Sequence, residues 1–384
     1  MIIDGWQLRF PQTGLGNVTA HVIREFVKQG RGSDTHVFVP GDADLSHWNL
    51  PTTSVGWHVL SGPFARTDYI ARWQWSRAFS RAVRTRHAVG KVFVPYLYNH
   101  FPLRRRSLVF VPDLVYRELP FYDDSATRWW NFRKRFYLRR GVVRFEEWLV
   151  TKAAGWITTS RFVADEAAHH LRVPRSSIVV STHGPGPSYP ARKAESERTR
   201  PPDFLGDYVL YVGGFGYRKN ISMLLEASEL LSRSEPGFRL MLAGISETQL
   251  KANPQYQAGW NGVKTGAIVC LGKPNDPELV EKYSNSRFTV FPSKGEGFGL
   301  PLVEAAACGA CTLVADNSSL AELQREPRLR IPTTDVQAWA NAMKWLWNDH
   351  VVRRELEGRL GRNFKDCTVA RFADDAWKAA DSIR

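Results

Sequence analysis

Short apolar runs recur along the chain at spacings that suit strands alternating with helices. In the first half they are HVFVP (36–40), KVFVP (91–95), SLVFVPD (107–113, ending at Asp113), GWITTS (155–160) and SIVVSTHG (177–184). Each is too short for a buried helix and is rich in β-branched residues, so each predicts a buried strand. Ser160 is placed to cap a helix that follows. A second series begins with DYVLYVGG (207–214), FRLMLAG (238–244), AIVCLGK (267–273), FTVFPS (288–293) and CTLVAD (311–316) as strands. Among these lie helical patterns at 220–233, 277–286 and 300–309, the last ended by Gly309. Residues 184–206 break the pattern with Pro, Gly and charge, which reads as a linker. The segment 372–384 puts Phe372, Ala376, Ala379, Ala380 and Ile383 on one helical stripe.

This alternation predicts an α/β protein of two doubly wound, Rossmann-like domains facing a cleft, with ligands at the carboxyl ends of the strands. The expected divisions are a domain over 1–190, a linker over 191–206, a second domain over 207–363 and a terminal helix over 364–384.

Composition narrows the picture. Hydrophobic residues are 43% of 384, which excludes global disorder. No apolar stretch is long enough to span a membrane. The first residues lack the pattern of a signal peptide, so the expected location is the cytoplasm. Cys270, Cys308, Cys311 and Cys367 give no disulfide framework; Cys308-x-x-Cys311 has no second pair at zinc spacing and reads as buried thiols. The net charge of +14 is lopsided: residues 1–190 carry +12 and residues 191–384 carry +2. It is densest in Arg104–Arg106 and in Arg128 through Arg144, a field that favours phosphorylated substrates, anionic lipid or nucleic acid.

Two motifs carry chemistry. The first is Gly213-Gly214-Phe215-Gly216-Tyr217-Arg218-Lys219-Asn220, between a strand and a helix. Its glycines, Gly214 among them, let backbone approach a ligand, and Arg218 and Lys219 add charges suited to phosphate. The second is Glu296-Gly297-Phe298-Gly299-Leu300-Pro301-Leu302-Val303-Glu304. It sets one carboxylate in a loop and another in the helix that Pro301 opens. Amides of Gly297, Phe298, Gly299 and Leu300 are placed to donate hydrogen bonds, and the two carboxylates suit sugar hydroxyls and a ribose.

Arg218-Lys219-Asn220 followed by Glu-x7-Glu at 296–304 resembles the retaining glycosyltransferases of family 4, which have the GT-B fold. TGLGNVTAHVIREF (13–26) resembles that family's glycine loop and first helix, TTSRFVADE (158–166) its interdomain segment, and residues 271–309 match throughout. The resemblance implies that Arg218 and Lys219 bind the donor diphosphate, Glu304 the ribose, and Glu296 the transferred sugar. Gly14 and Gly16 would approach the diphosphate from the first domain, and Gly272 and Lys273 would contact the base. The terminal helix would cross back to the first domain. Where the family often has His-Asp, this chain has Pro112-Asp113. Asp113 is still expected to face the cleft, with His100 or His183 as candidates for the missing imidazole.

The implied reaction is transfer of a hexose from a nucleotide-diphosphate sugar, mannose from GDP-mannose by family frequency, with retention at the anomeric carbon. Glu296 and Glu304 do not read as a glycosidase pair, so front-face attack by an acceptor hydroxyl is expected, without a metal or other cofactor. The partners expected are a glycan or lipid-linked acceptor and, through 128–149, an anionic membrane surface. A GT-B-like epimerase or phosphorylase is an alternative. No nucleic-acid module is visible, so nucleic acid is not an expected partner.

Overall fold

The computed structural model describes residues 1–10, 13–62, 64, 69–86, 90–96, 106–114, 143–189 and 207–383. These form two compact units. The first runs β1 (Ile2–Asp4), α1 (Gly14–Lys28), β2 (His36–Pro40), β3 (Gly56–Leu60), α2 (Tyr69–Arg86), β4 (Val92–Val94) and β5 (Ser107–Val111). It continues through α3 (Val143–Val150), β6 (Gly155–Thr158), α4 (Arg161–Leu171) and β7 (Ile178–Val180). The second begins with β8 (Val209–Val212), α5 (Ile221–Ser234), β9 (Leu240–Ala243), α6 (Glu247–Lys251), α7 (Gln257–Thr265) and β10 (Ile268–Gly272). There follow α8 (Asp276–Asn285), β11 (Phe288–Phe291), α9 (Leu300–Ala307), β12 (Thr312–Ala315), α10 (Ser318–Leu323), β13 (Arg330–Ile331), α11 (Val336–Asn348) and α12 (His350–Asn363). The last helix, α13 (Val369–Asp381), belongs to the first unit.

Both sheets are parallel, in the orders β3-β2-β1-β4-β5-β6-β7 and β10-β9-β8-β11-β12-β13. Strands such as Ser107–Val111 and Phe288–Phe291 are buried at every position, as a sheet covered on both faces requires. The two expected Rossmann-like domains are therefore present. Their apolar runs each contain a strand; β2 fills its run, and the other strands are shorter than theirs. Strands β1 and β3 stand out less in the pattern: β1 has three residues, and β3 lies at the sheet edge with Val59 61% exposed.

In each sheet the order reverses once, between β1 and β4 and between β8 and β11. The loops leaving such neighbours diverge and open a crevice at their carboxyl ends. Both motifs lie at the second reversal, one after β8 and one after β11.

Helix α13 buries Phe372, Ala373, Ala376, Ala379 and Ala380 in the core of the first unit, with Ile383 beyond it. Phe372 meets Phe110 edge-on at 5.4 Å, and Asp374 pairs with Arg31 at 2.8 Å. Thus the stripe foreseen at 372–383 is a packing face. The first unit ends at His183 rather than 190, since Ser188 bonds Asp276 at 3.1 Å and Tyr189 packs against Tyr283. The second extends to Cys367 because Phe364 and Cys367 join its core. Residues 191–206 lie outside the described residues, as do His100, Arg104, Arg105 and 128–142.

Candidate active site

After β8 the chain crosses Gly213–Gly216 and makes a short 3-10 turn at Tyr217–Lys219 before α5. Gly216 has φ +147°, which an L side chain rarely adopts. Tyr211 pins the turn from below, its hydroxyl donating to the Gly214 carbonyl at 3.2 Å. Asn220, at φ 56°, donates from Nδ2 to Pro292 O at 3.2 Å and to Thr333 O at 2.8 Å. An asparagine tolerates this left-handed conformation, and here it ties the basic turn to the end of β11.

The loop after β11 returns the connection. Lys294 N donates to Arg218 O at 2.8 Å. Glu296 N donates to Ser318 Oγ at 3.0 Å, while Ser319 Oγ donates to Glu296 O at 2.8 Å and Phe298 O at 3.1 Å. Asn317 Nδ2 donates to Ser293 O at 3.0 Å and to Thr333 Oγ1 at 2.8 Å. Gly299 sits at φ +97°, and a Cβ there would lie 2.7 Å from Leu320. The loop can turn into α9 only with glycine at that position.

These supports bring the two motifs together. Lys219 Nζ donates to Glu296 Oε1 at 2.6 Å, Arg218 donates to Oε2 of the same carboxylate, and Arg218 Nη1 also reaches Gly295 O at 3.0 Å. Burial pushes the Glu296 carboxyl up, but the charges of Lys219 and Arg218 outweigh it and leave it below the usual carboxylate range. Glu296 is therefore an anion between two cations. Arg218 retains 36% side-chain exposure, and its fork of donors is suited to a phosphate.

Glu304 lies on α9 in a different setting. Tyr283 donates to its Oε2 at 3.0 Å, and the Tyr189 phenol stands beside the carboxyl and favours its anion. Burial pushes Glu304 up to about 7, with the Tyr283 bond opposing and the Asp276 charge adding. The two glutamates of one motif thus carry opposite shifts, which suits two different tasks.

Other expected residues are spread around this pair. Phe298 contributes its ring to the core rather than to a ligand face, which leaves only its backbone for binding. Leu300 opens α9 with Pro301 in its first turn. Gly297 is buried in the loop, Gly272 ends β10 at φ +63°, and Lys273 beyond it is exposed. In the first unit, Gly14 begins α1 and Gly16 donates from its N–H to the Thr13 cap at 3.1 Å. A Cβ on Gly16 would strike Trp48 at 2.6 Å, so packing alone demands glycine there; one on Gly14 would meet nothing within 4 Å.

Asp113 follows β5 and is partly buried. His183 is buried against His21 at 5.6 Å and Phe372 at 5.1 Å, a core position that does not support the imidazole role considered for it. One Asp-x-Asp is present, Asp42-Ala43-Asp44, after β2. Asp42 pairs with Arg9 at 2.6 Å and Asp44 accepts from Ser46 at 2.9 Å, so both carboxylates hold local structure. Cys270, Cys308, Cys311 and Cys367 are not paired in disulfides.

Sequence reasoning missed Asn220, Asn317, Ser318, Ser319, Thr333, Tyr189 and Tyr283. They hold the site from as far as 113 residues away, and only Asn220 stood inside a motif.

Glycine turns, two cations and the Glu296 carboxylate are thus gathered at the switch point of the second parallel sheet. Residues 199–366 match the family model described as Glycosyl transferases group 1. The chain is 32% identical over 168 residues to O-antigen chain mannosyltransferase B of Escherichia coli, covering 42% of this chain and 44% of that protein. It is 26% identical over 236 residues to serotype-specific mannosyltransferase WbdA of Escherichia coli, covering 59% of this chain and 28% of that one. It thus spans less than half the length of these curated relatives. Among solved structures, WaaG, a glycosyltransferase involved in lipopolysaccharide biosynthesis, superposes with TM-score 0.68 at 15% identity, covering 100% of this chain and 99% of that one. The family match covers residues 199–366 of this chain, and the likeness to WaaG is one of fold, the expected GT-B architecture.

Proposed function

We propose that the protein is a retaining glycosyltransferase that moves a hexose from a nucleotide-diphosphate sugar to a hydroxyl of a glycan or lipid-linked acceptor in surface polysaccharide synthesis. The observation that carries this reading is the Arg218–Glu296–Lys219 cluster at the crevice between β8 and β11. GDP-mannose is the first donor to test, because relatives over the matched region are mannosyltransferases.

In this scheme Arg218 and Lys219 neutralise charge growing on the departing diphosphate, which lowers the barrier most where water is excluded. Glu296, already ionised by the same two cations, accepts from hydroxyls of the transferred sugar. Glu304 accepts from the ribose. Gly214 and the amides of Gly297 through Leu300 meet the phosphates and sugar, Gly272 and Lys273 the base. Glu296 and Glu304 serve different parts of the donor and do not act as an acid–nucleophile pair, so the acceptor hydroxyl attacks from the leaving-group face and passes its proton to phosphate. The scheme uses no metal or other cofactor.

A second reading concerns location. Among the described residues no helix is long and apolar enough to cross a membrane. On α3, however, Phe145 and Trp148 are 44% and 46% exposed and stack at 5.9 Å, with Lys152 over the Trp148 ring at 5.1 Å. Exposed aromatics beside cations, in a half of the chain carrying +12, support cytoplasmic attachment to an anionic membrane face.

The deciding experiment supplies a panel of nucleotide sugars, with and without a lipid-linked or glycan acceptor, and follows nucleoside diphosphate release and product configuration by NMR. Acceptor-dependent release with an α-linked product from an α-linked donor supports the proposal. Release of free sugar nucleotide epimers without acceptor sinks it in favour of an epimerase.

A further inference from the structure

The carboxyl of Glu304 stands beside two phenols from separate parts of the second unit. Tyr283 lies on the last turn of α8 and is fully buried; it donates to Glu304 Oε2 at 3.0 Å. Tyr189 lies in the segment that enters the unit and is 7% exposed; its phenol is close enough to the same carboxyl to favour the anion. The two rings meet at 6.2 Å and 59°. One residue before Tyr189, Ser188 Oγ donates to Asp276 at the start of α8 at 3.1 Å, which fixes the segment carrying Tyr189.

A carboxylate offers about four lone-pair positions. Tyr283 fills one of them, and the Tyr189 ring, packed on Tyr283, walls the group on a second side. At least two remain, the number needed to accept from both hydroxyls of a vicinal diol. The phenols also decide the charge. Burial and the Asp276 carboxylate favour the neutral acid, whereas the two hydroxyl donors favour the anion. Cys308, which caps α9 at its carboxyl end, is a further titratable neighbour of both tyrosines.

We propose that Tyr189 and Tyr283 are positioning residues that orient the Glu304 carboxylate toward the 2′ and 3′ hydroxyls of the donor ribose. This rests on the reading of Glu304 as the ribose ligand. Tyr189 and Tyr283 touch no substrate; they act by aiming the group that does and by keeping it ionised.

The test compares the full chain with its Tyr189→Phe, Tyr283→Phe and Glu304→Gln variants. Calorimetry measures binding of GDP and UDP and of their 2′,3′-dideoxy counterparts from pH 5.5 to 8.5. The nucleotides' own phosphate ionisation is common to all four proteins. The unmodified chain should prefer the ribonucleotide, with affinity rising as Glu304 ionises near 7. Each Phe variant should lose about tenfold of that preference, the effect of one charge-assisted hydrogen bond. Its pH midpoint should move upward, because a donor to the anion has gone. Equal weakening of ribo and dideoxy ligands with no shift of midpoint, or an unchanged ratio, overturns the proposal. If the unmodified chain itself shows no ribose preference, the Glu304 reading has failed and takes this proposal with it. Should Tyr283→Phe not fold, Tyr189→Phe carries the same test from outside the helix.

Discussion

Lys219 and Glu296 lie 77 residues apart and meet at 2.6 Å, joining the loop after β8 to the loop after β11. With Arg218 on the other oxygen, this contact makes a preformed ionic site at the switch point of the second sheet. In the proposed reading a diphosphate would meet cations already in place, since Asn220 ties down the basic turn and Ser318 and Ser319 hold the backbone of their partner Glu296.

The opposite environments of the two glutamates predict opposite phenotypes. Glu296→Gln should leave nucleoside diphosphate affinity undiminished, because the cations are then less neutralised, while kcat falls by about a hundredfold or more through loss of a sugar contact used in the transition state. Glu304→Gln should weaken free-nucleotide binding first. Steady-state kinetics and calorimetry on both variants check the split, and equal loss of nucleotide affinity in both would end the division of roles.

Asp4, in the first unit, offers a stability test. It is buried at the end of β1, accepts from Trp6 N at 3.0 Å, Trp75 Nε1 at 2.9 Å and Tyr96 Oη at 2.6 Å, and is pushed up to about 6 by burial against the effect of these bonds. A carboxyl raised above its unfolded value of about 4 contributes stability that is full below that value and is lost as pH rises through 6. Asp4→Asn removes that titration, so the variant's melting temperature should gain on the parent's between pH 4.5 and 7.5. Asp4→Ala leaves three donors unpaired and should cost about 1–3 kcal/mol for each. A parallel pH course for parent and Asp4→Asn would contradict the assignment.

Helix α13 should matter to the first unit alone. Phe372→Ala removes a fully buried ring from that core and should cost about 3–5 kcal/mol in urea unfolding. Nucleotide binding by the second unit should survive at low temperature. A uniform loss across both units, followed by hydrogen exchange, would argue against this partition.

Much of this was legible in the chain. Parallel strands buried on both faces show as unbroken apolar runs, so β2, β5 and β11 stand where the runs are. The stripe on α13 shows because alanine and phenylalanine recur at helical spacing. Arg218, Lys219 and Glu296 were visible because charged residues in glycine-flanked turns have few packing uses. Their supports were not, because Ser318, Ser319 and Thr333 gain meaning only when the sheet folds them beside residues far off in sequence. Gly16 shows the reverse: its glycine suits a ligand loop, yet the Trp48 ring already demands it. The surplus Arg and aromatic residues of 128–142 fall outside the described residues, and only Val143–Val150 of that run is seen, as α3.

For that helix the expectation is salt-sensitive binding to vesicles containing anionic lipid. Phe145→Ser with Trp148→Ser should reduce co-sedimentation severalfold without changing nucleotide affinity. Binding that is equal on neutral and anionic vesicles, or absent from both, would contradict the membrane reading.

The central claim is that Arg218 and Lys219 hold a donor diphosphate, and calorimetry of the full chain tests it most directly. GDP-mannose, UDP-glucose, UDP-N-acetylglucosamine and dTDP- or GDP-deoxyhexoses are titrated into the parent, Arg218→Ala and Lys219→Ala, with folding checked by circular dichroism. The account predicts that one nucleotide sugar binds the parent and that each variant loses about 2 kcal/mol or more, roughly thirtyfold. Unchanged affinity in both folded variants, or no binding of any nucleotide sugar by the parent, would contradict it.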